Sequence, residues 1–242
     1  KRCVLWKKIK LLKHHTKMQS LFAKLCVSGI SIPLAALLSL FVGIAAGAFS
    51  GLLVVMANVP PMIATLGTWY ITKGLAYAIS NSYAIVQGLP ADFGWVNRYI
   101  GPFPLMVVIA VAVFAVFYIL LNRTLLGKYA YAIGGNSETA RLSGIKVNLV
   151  RCVLYILTAL MSSFVGILMS SRINSGDPNL STSGIEFEII VAIILGGTSL
   201  LGGQGSLIGT LIGALILGNL SNGMNLLGIG TVYQFIVEGA VL

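Results

Sequence analysis

The stretch LCVSGISIPLAALLSLFVGIAAGAFSGLLVVMANVPPMIATLGTWYIT, residues 25–72, contains 48 residues and no charged side chain. A helix that crosses a bilayer needs about 20 mainly apolar residues, so this run is long enough for two crossings. Pro60 and Pro61 divide the run, because proline ends a helix and restricts the residue before it. We therefore predict membrane spans at 31–56 and 61–80.

A second uncharged run, residues 189–237, has 49 residues and again holds two predicted spans, which are divided by the glycine-rich stretch 196–206. Further spans are predicted at 102–121 and 152–171, and a partial last helix is predicted from Thr231. The fold class is therefore all-α and polytopic, with about six full transmembrane helices plus a partial last one. Composition agrees, because 9% of the residues are charged, whereas soluble domains have about a quarter.

The basic residues are unevenly distributed along the chain. The formal net charge is +10, and eight of the sixteen Lys and Arg side chains lie in the first 24 positions. We divide the chain into a basic leader, residues 1–26, and a membrane domain, residues 27–242. The interior loop 122–151 carries one acid and five basic residues, namely Arg123, Lys128, Arg141, Lys146 and Arg151.

The charge of this loop predicts the orientation of the spans. Lys and Arg favour the cytoplasmic side in short loops, so loop 122–151 is expected in the cytoplasm. Counting spans from it places residues 81–101 outside and the leader outside, where its charge conflicts with the same rule. Either spans that precede 31–56 are missing and the leader is not native here, or 31–56 does not cross as drawn. The leader is interpreted as a solvated tail or as a helix on the membrane surface.

Enzymatic chemistry is disfavoured by the residue types present. The two histidines, His14 and His15, both lie in the leader, so no imidazole base is available near the spans. Gly127-Lys128 is followed by tyrosine, which does not match a phosphate-binding P-loop, and the sequence has no G-x-S-x-G elbow. The cysteines form no C-x-x-C pair. We predict no catalytic residue, no metal site and no cofactor in this chain.

Small residues four apart allow membrane helices to approach closely. Two such series occur and are assigned to helix packing: Gly43, Gly47 and Gly51, and then Gly205, Gly209 and Gly213.

Polar side chains in spans are costly to bury and are candidates for lining a solute pathway. We assign Lys73, in the middle of the span 61–80, and the asparagines Asn219, Asn222 and Asn225 to this role. The alternatives are that Lys73 extends to the interface and that the asparagines cap their helix.

Within the cytoplasmic loop, the residue types predict a short helix. Asn136 can cap its first turn, Glu138 is favourable near the positive end of the helix dipole, and Gly144 can end it. Such a helix, presented to the cytoplasm between two spans, is either a docking element or a capped connector.

Five stretches of the sequence, in order, resemble the ribose/galactose/autoinducer-2 class of ABC-transporter permeases. They are Pro60–Gly67, Leu126–Asn136, Ala140–Ile145, Ile194–Gly203 and Asn222–Gly228. The resemblance implies that 27–242 is a partial permease domain, truncated at both ends, and that the leader does not belong to the family.

The resemblance also implies the function of the loop. In that class the cytoplasmic loop forms a coupling helix that inserts into the ATPase subunit, which binds ATP and Mg²⁺. The residues that inherit this role are Asn136, Glu138, Ala140, Arg141, Gly144 and Ile145. The implied partners are the ATPase, a second permease subunit in a homo- or heterodimer, membrane lipid and an extracytoplasmic binding protein that delivers a monosaccharide, with nucleic acid not among them.

The expected function is therefore that of a bacterial inner-membrane importer subunit for a ribose-like monosaccharide. The alternative is a self-contained secondary carrier or channel for small polar solutes, which would depend on Lys73, Glu186 or Glu238.

Overall fold

In the structure, a computed structural model, residues 15–179, 185–199 and 202–241 are described. Their backbone is mainly helical. The helices are α1 (His15–Val27), α2 (Ile32–Val55), α3 (Pro61–Ser80), α4 (Leu105–Arg123), α5 (Leu125–Gly135), α6 (Ser137–Leu142), α7 (Val147–Ile173), α8 (Ile185–Leu195), α9 (Leu207–Leu226) and α10 (Thr231–Val241).

The helical polytopic architecture predicted from the sequence is confirmed. Four of the described helices, α2, α4, α7 and α9, are long and apolar enough to cross a membrane. The 20 residues of α3 coincide with the predicted span 61–80, because Pro60 and Pro61 precede it and Asn81 ends it in a left-handed conformation. The described part of α8 has 11 residues, as has that of α10.

Helices α2 and α7 form the centre of the bundle and pack antiparallel. A β-carbon added at Gly43 would overlap the hydroxymethyl group of Ser163, and one added at Gly47 would lie 2.6 Å from the β-carbon of Ala159. One added at Gly51 would lie 3.2 Å from the sulfur of Cys152. The glycine series of α2 therefore lies along α7. Only glycine, whose side chain is a hydrogen atom, leaves room there for the backbone of the partner helix.

Hydroxyl groups buried in this bundle donate hydrogen bonds to carbonyl oxygens of their own helix, four residues earlier. Ser39 bonds Ala35 at 2.8 Å, Thr68 bonds Ala64 at 2.9 Å and Ser163 bonds Ala159 at 2.9 Å. Between helices, the Ser50 hydroxyl of α2 lies 3.0 Å from the Thr68 hydroxyl of α3.

Helix α1 packs inside the bundle. The ring of Phe22 stacks on that of Phe93 with centroids 5.1 Å apart, and Ala23 and Cys26 share this apolar cluster with Ile167 of α7. Residues from Met18 to Ala23 are buried or half-buried. The interpretation of the leader as a solvated tail or a surface helix is therefore wrong for this part. Leader residues 1–14 lie outside the described residues.

At one end of the α2–α7 pair lies a compact segment between α3 and α4. It contains a 3₁₀ helix, Ala91–Asn97, and a short antiparallel hairpin of β1 (Tyr99–Ile100) with β2 (Phe103–Pro104). The hairpin differs from the all-α prediction. Because it occupies residues 99–104, α4 begins at Leu105 instead of the predicted 102. The Ser171 hydroxyl of α7 donates to the carbonyl of Phe93 at 2.6 Å and anchors the segment. Helices α5 and α6 lie at the opposite end.

Two further predictions from sequence are corrected. The loop 122–151 contains a second helix, α5, because its charged residue Lys128 is exposed and does not interrupt helical structure, while Arg123 is the last residue of α4. Helix α7 begins at Val147, before the predicted 152, since Arg151 is tolerated half-buried in its second turn. Its 27 residues include five that precede the predicted span.

Helices α8 and α9 also approach through glycine. β-Carbons added at Gly209 and Gly213 of α9 would meet the carbonyl oxygens of Gly196 and Ala192. Gly205 is not part of this helix face. It precedes α9, whose cap is Ser206, and packs against the side chain of Thr198.

Candidate functional site

The candidate site is the polar end of the bundle formed by α5, α6 and the start of α7. Helix α5 follows α4 after a sharp turn at Thr124. Gly127 permits this turn, because a β-carbon there would overlap the carbonyl oxygen of Leu121. One side of α5 is buried through Ala130 and Ile133. The chain is thereby folded back from the span α4 onto the base of α7.

Asn136 joins α5 to α6 and caps α6. Its backbone N–H donates to the carbonyl of Ala132 at 3.1 Å, which completes α5. Its side-chain oxygen accepts hydrogen bonds from the N–H groups of Glu138 at 3.0 Å and Thr139 at 3.2 Å. Two of the donors that a helix start leaves unpaired are thus satisfied by one side chain, which fixes the angle between the two helices.

An ion pair lies on the exposed side of α6. A guanidinium nitrogen of Arg141 lies 2.5 Å from a carboxylate oxygen of Glu138, and its Nε lies 3.2 Å from the same oxygen. Both side chains are about two-thirds exposed. Hydrogen bonding to Arg141, and secondly its positive charge, lower the pKa of the Glu138 carboxyl from its ordinary value. The carboxylate is therefore ionised at neutral pH and held against the Arg141 guanidinium.

Gly144 ends α6 in a left-handed conformation with a φ of +81°. The N–H of Ile145 donates to the carbonyl of Ala140 at 3.1 Å, and that of Gly144 donates to Arg141 at 3.0 Å. This is a glycine-terminated helix end, in which the last carbonyl groups find partners as the chain reverses. Ile145 then packs beside α7 and Val147 begins that helix.

The two faces of α6 differ in chemistry. Ala140 is 4% exposed and packs with Ile133, Val147 and Val150, which holds α6 against its neighbours. On the outer side, Leu142 is 77% exposed beside the ion pair. A groove of about 400 Å³ adjoins this surface, lined by Leu126, Tyr129, Gly144, Ile145, Lys146, Leu149, Val150 and Val153. We call Glu138, Arg141, Leu142 and this groove the platform.

The structure also brings α5 against the glycine-rich stretch between α8 and α9. The Tyr131 hydroxyl donates to the carbonyl of Gly205 at 3.0 Å. A β-carbon added at Gly134 would lie 2.5 Å from the backbone nitrogen of Gly203. We call this contact the junction. The sequence alone does not predict this contact, because the two stretches are about 70 residues apart and only the unusual glycine content of both indicates a close approach.

The described contacts do not bring the candidate pathway residues together at one place. The amine of Lys73 lies over the rings of Trp69, at 5.1 Å, and Tyr77, at 5.6 Å, on its own helix. Asn219 donates to the carbonyl of Leu215 within α9, and Asn225 accepts from Gln234 of α10 at 2.8 Å. Asn222 is exposed. The side chains of Glu186 and Glu238 lie outside the described residues.

Within the described part of the chain, no group of three His, Cys, Asp or Glu side chains is arranged to hold a metal ion. The charged groups of the platform are the Glu138 carboxylate, the Arg141 guanidinium and the Lys146 amine. This arrangement can bind a protein surface through paired charges and an apolar contact.

Taken together, these features define a multi-pass membrane protein with a fixed polar platform at one end. The chain belongs to the family described as branched-chain amino acid transport system / permease component, whose model matches residues 15–242. The match includes 15–26, within the segment that we interpret from the sequence as the leader.

Curated relatives include three sugar permeases. The ribose import permease protein RbsC of Bacillus subtilis is 39% identical over 92% of this chain and 70% of its own length. The protein of the same name from Escherichia coli K12 is 42% identical over 84% and 64%. The L-arabinose transport system permease protein AraH of Escherichia coli K12 is 38% identical over 84% and 64%. No solved structure is significantly similar.

These relatives confirm the resemblance to the monosaccharide class of ABC permeases and the localisation as a multi-pass inner-membrane protein. The chain spans 64–70% of the length of the relatives described above.

Proposed function

We propose that the chain is the permease subunit of an ATP-driven importer that moves a ribose-like monosaccharide across the bacterial inner membrane. The observation that carries the proposal is the platform, where a capped and terminated α6 presents an ion pair and the 77% exposed Leu142. An exposed apolar side chain beside charged groups suits the centre of a protein–protein contact, where an apolar core is surrounded by a polar rim. The sugar permeases named among the relatives support the substrate class.

In this proposal the platform docks a cytoplasmic ATPase, which binds ATP and Mg²⁺ and performs the hydrolysis. A second permease subunit, identical or different, completes the pathway, and an extracytoplasmic binding protein delivers the sugar. Helices α3 and α8 cross the membrane as well, which gives about six full spans with α10 as the partial last one. Docking then moves α6, and the helices alternate between outward and inward openings.

The pathway residues also remain part of the proposal. Lys73, Asn219, Asn222 and Asn225 supply hydrogen-bond donors that suit sugar hydroxyl groups. The described contacts of Lys73 are to two aromatic rings, which hold its charge within a span without an acidic partner. The names of the relatives favour an importer subunit over the self-contained carrier.

The test is binding of the co-expressed ATPase to the chain in lipid nanodiscs. Leu142→Asp places a charge in the docking contact and is expected to weaken binding at least tenfold, the effect of losing about 1.4 kcal/mol at a contact centre. Val86→Asp is the matched control, since Val86 is an exposed apolar residue at the opposite end of the bundle. Equal binding by both variants, or weakening by the control alone, would reject the docking role.

A further inference from the structure

The junction lies directly before α9, because Gly205 precedes the capping residue Ser206. Gly205, whose carbonyl accepts the Tyr131 hydroxyl, is followed by Ser206, whose side chain accepts the N–H of Gly209 at 3.2 Å. The backbone carbonyl of Ser206 also accepts the N–H of Thr210 at 3.0 Å. A displacement of Gly205 therefore acts on the capping residue and on the first turn of α9.

In the glycine-rich stretch that carries Gly205, the described residues 196–199 and 202–206 are connected by polar contacts. The N–H of Ser199 donates to the carbonyl of Gln204 at 3.1 Å, and the Thr198 hydroxyl lies 3.3 Å from that of Thr210. Gly202 and Gly203 have φ values of +94° and +81°, which glycine adopts without strain. These contacts tie the described residues beside the junction to the first turn of α9.

On the other side of the junction, α5 leads directly into α6. Asn136 ends α5 and caps α6, so the two helices share one residue with fixed hydrogen bonds. At Gly134 the backbone of α5 meets that of Gly203 with no intervening side chain. Contact between two backbones resists compression more than contact between flexible side chains, since no rotamer change can relieve it.

We propose that the junction transmits movement of α6 to α9, with Tyr131 and Gly134 as the positioning residues. This inference deepens the proposed function, because it identifies how a docked partner at the platform would shift the α8–α9 pair. It does not require that the partner be an ATPase. Helices α8 and α9 follow as one unit, since Gly196, Gly209 and Gly213 bring their backbones into contact.

The experiment measures hydrogen exchange of the Gly209 and Thr210 amides in the chain reconstituted in nanodiscs, without any partner. Asn136→Ala removes the cap and loosens α6. With the native junction, we expect it to accelerate exchange at both amides about twofold to tenfold, the range of one neutral hydrogen bond. In Tyr131→Phe the same change is expected to have no effect at these amides, while in Tyr129→Phe the effect should persist.

This design follows the logic of a double-mutant cycle, which separates coupling from local damage. A second pair of variants tests the backbone contact independently of the Tyr131 hydrogen bond. Gly134→Ala is expected to abolish the response, because its methyl group would lie 2.5 Å from the Gly203 nitrogen and force the two backbones apart. Gly135→Ala is expected to preserve the response, because its methyl group would have no neighbour within 4 Å. If Asn136→Ala leaves α9 exchange unchanged, or changes it equally in Tyr131→Phe, the inference is wrong. Failure of ATPase binding would instead reject the proposed function and leave this result standing.

Discussion

Gly47 of α2 lies so close to Ala159 of α7 that their backbones are separated by little more than the alanine methyl group. A β-carbon at Gly47 would also come within 3.0 Å of the carbonyl oxygen of Tyr155. Because both neighbours belong to the well-packed α7 face, neither can move without shifting the helix.

We therefore expect Gly47→Ala to lower the free energy of unfolding by about 1–3 kcal/mol, the range found for overpacking. Thermal unfolding in detergent measures the effect. Gly67→Ala in α3 is the control, since a β-carbon there has no neighbour within 4 Å and alanine favours the helix by up to about 1 kcal/mol. A destabilisation of equal size at both positions would contradict the packing explanation.

Removal of the α6 cap is expected to accelerate hydrogen exchange in the first turn of α6. In Asn136→Ala the amides of Glu138 and Thr139 lose their acceptor, which costs about 1 kcal/mol, so their exchange with solvent should accelerate roughly fivefold. Hydrogen exchange by mass spectrometry over 137–142 measures it. Asn136→Asp retains a capping oxygen and should exchange like the native chain. Exchange at native rates in the alanine variant would show that α6 is held by Ala140 packing alone.

The Glu138–Arg141 ion pair predicts a pH dependence. Because the pKa of Glu138 is lower in the folded chain than in the unfolded one, the pair stabilises α6 above the ordinary glutamate pKa. The contribution is lost as the pH falls through the lowered pKa. In Arg141→Gln the carboxyl should titrate nearer its ordinary pKa. Carbon-13 NMR of labelled glutamate follows this titration, and unchanged titration in the variant would refute the assignment.

High salt provides an independent check on the same pair. Both side chains are exposed, so screening should move the Glu138 titration of the native chain toward that of Arg141→Gln. Arg172→Gln, at the opposite end of α7, should leave the titration unaltered.

Gly144 is required for its backbone conformation and not for space. No atom lies within 4 Å of a β-carbon built there, yet its φ is +81°. Gly144→Val should therefore cost roughly 1–2 kcal/mol in the end of α6, whereas Gly144→Asn should cost less because asparagine tolerates this conformation. The two variants are compared by exchange of the Ile145 amide, which bonds Ala140. Equal exchange in both would exclude backbone strain as the cause.

The features that sequence reasoning located are those set by neighbouring residues. Pro60, Pro61 and Asn81 bound α3, and Asn136 and Gly144 bound α6, because caps and breakers act within one helical turn. The features it missed depend on distant partners. The lysine-rich composition of the leader concealed the apolar face of Phe22 and Ala23, which only the ring of Phe93 and the α7 surface reveal.

The same distinction applies to the glycines. A spacing of four residues correctly identifies Gly43, Gly47 and Gly51 as one helix face, but the spacing of Gly205 from Gly209 is misleading because Ser206 begins a new helix between them. Nor can spacing pair Gly134 with Gly203, since their contact requires the turn at Thr124 and the packing of α8 on α9 to be known. The exposed and buried sides of α6 likewise follow from the position of α7.

The buried hydroxyl groups of Ser39, Thr68 and Ser163 have a consequence for biogenesis. Each already has an acceptor in its own helix, so an isolated segment can leave the translocation machinery and enter lipid with these polar groups satisfied. Insertion therefore does not have to wait for a neighbouring segment to be synthesised. Association can follow later and can be reversed until the glycine face of α2 meets α7, which leaves time for errors in pairing to be corrected.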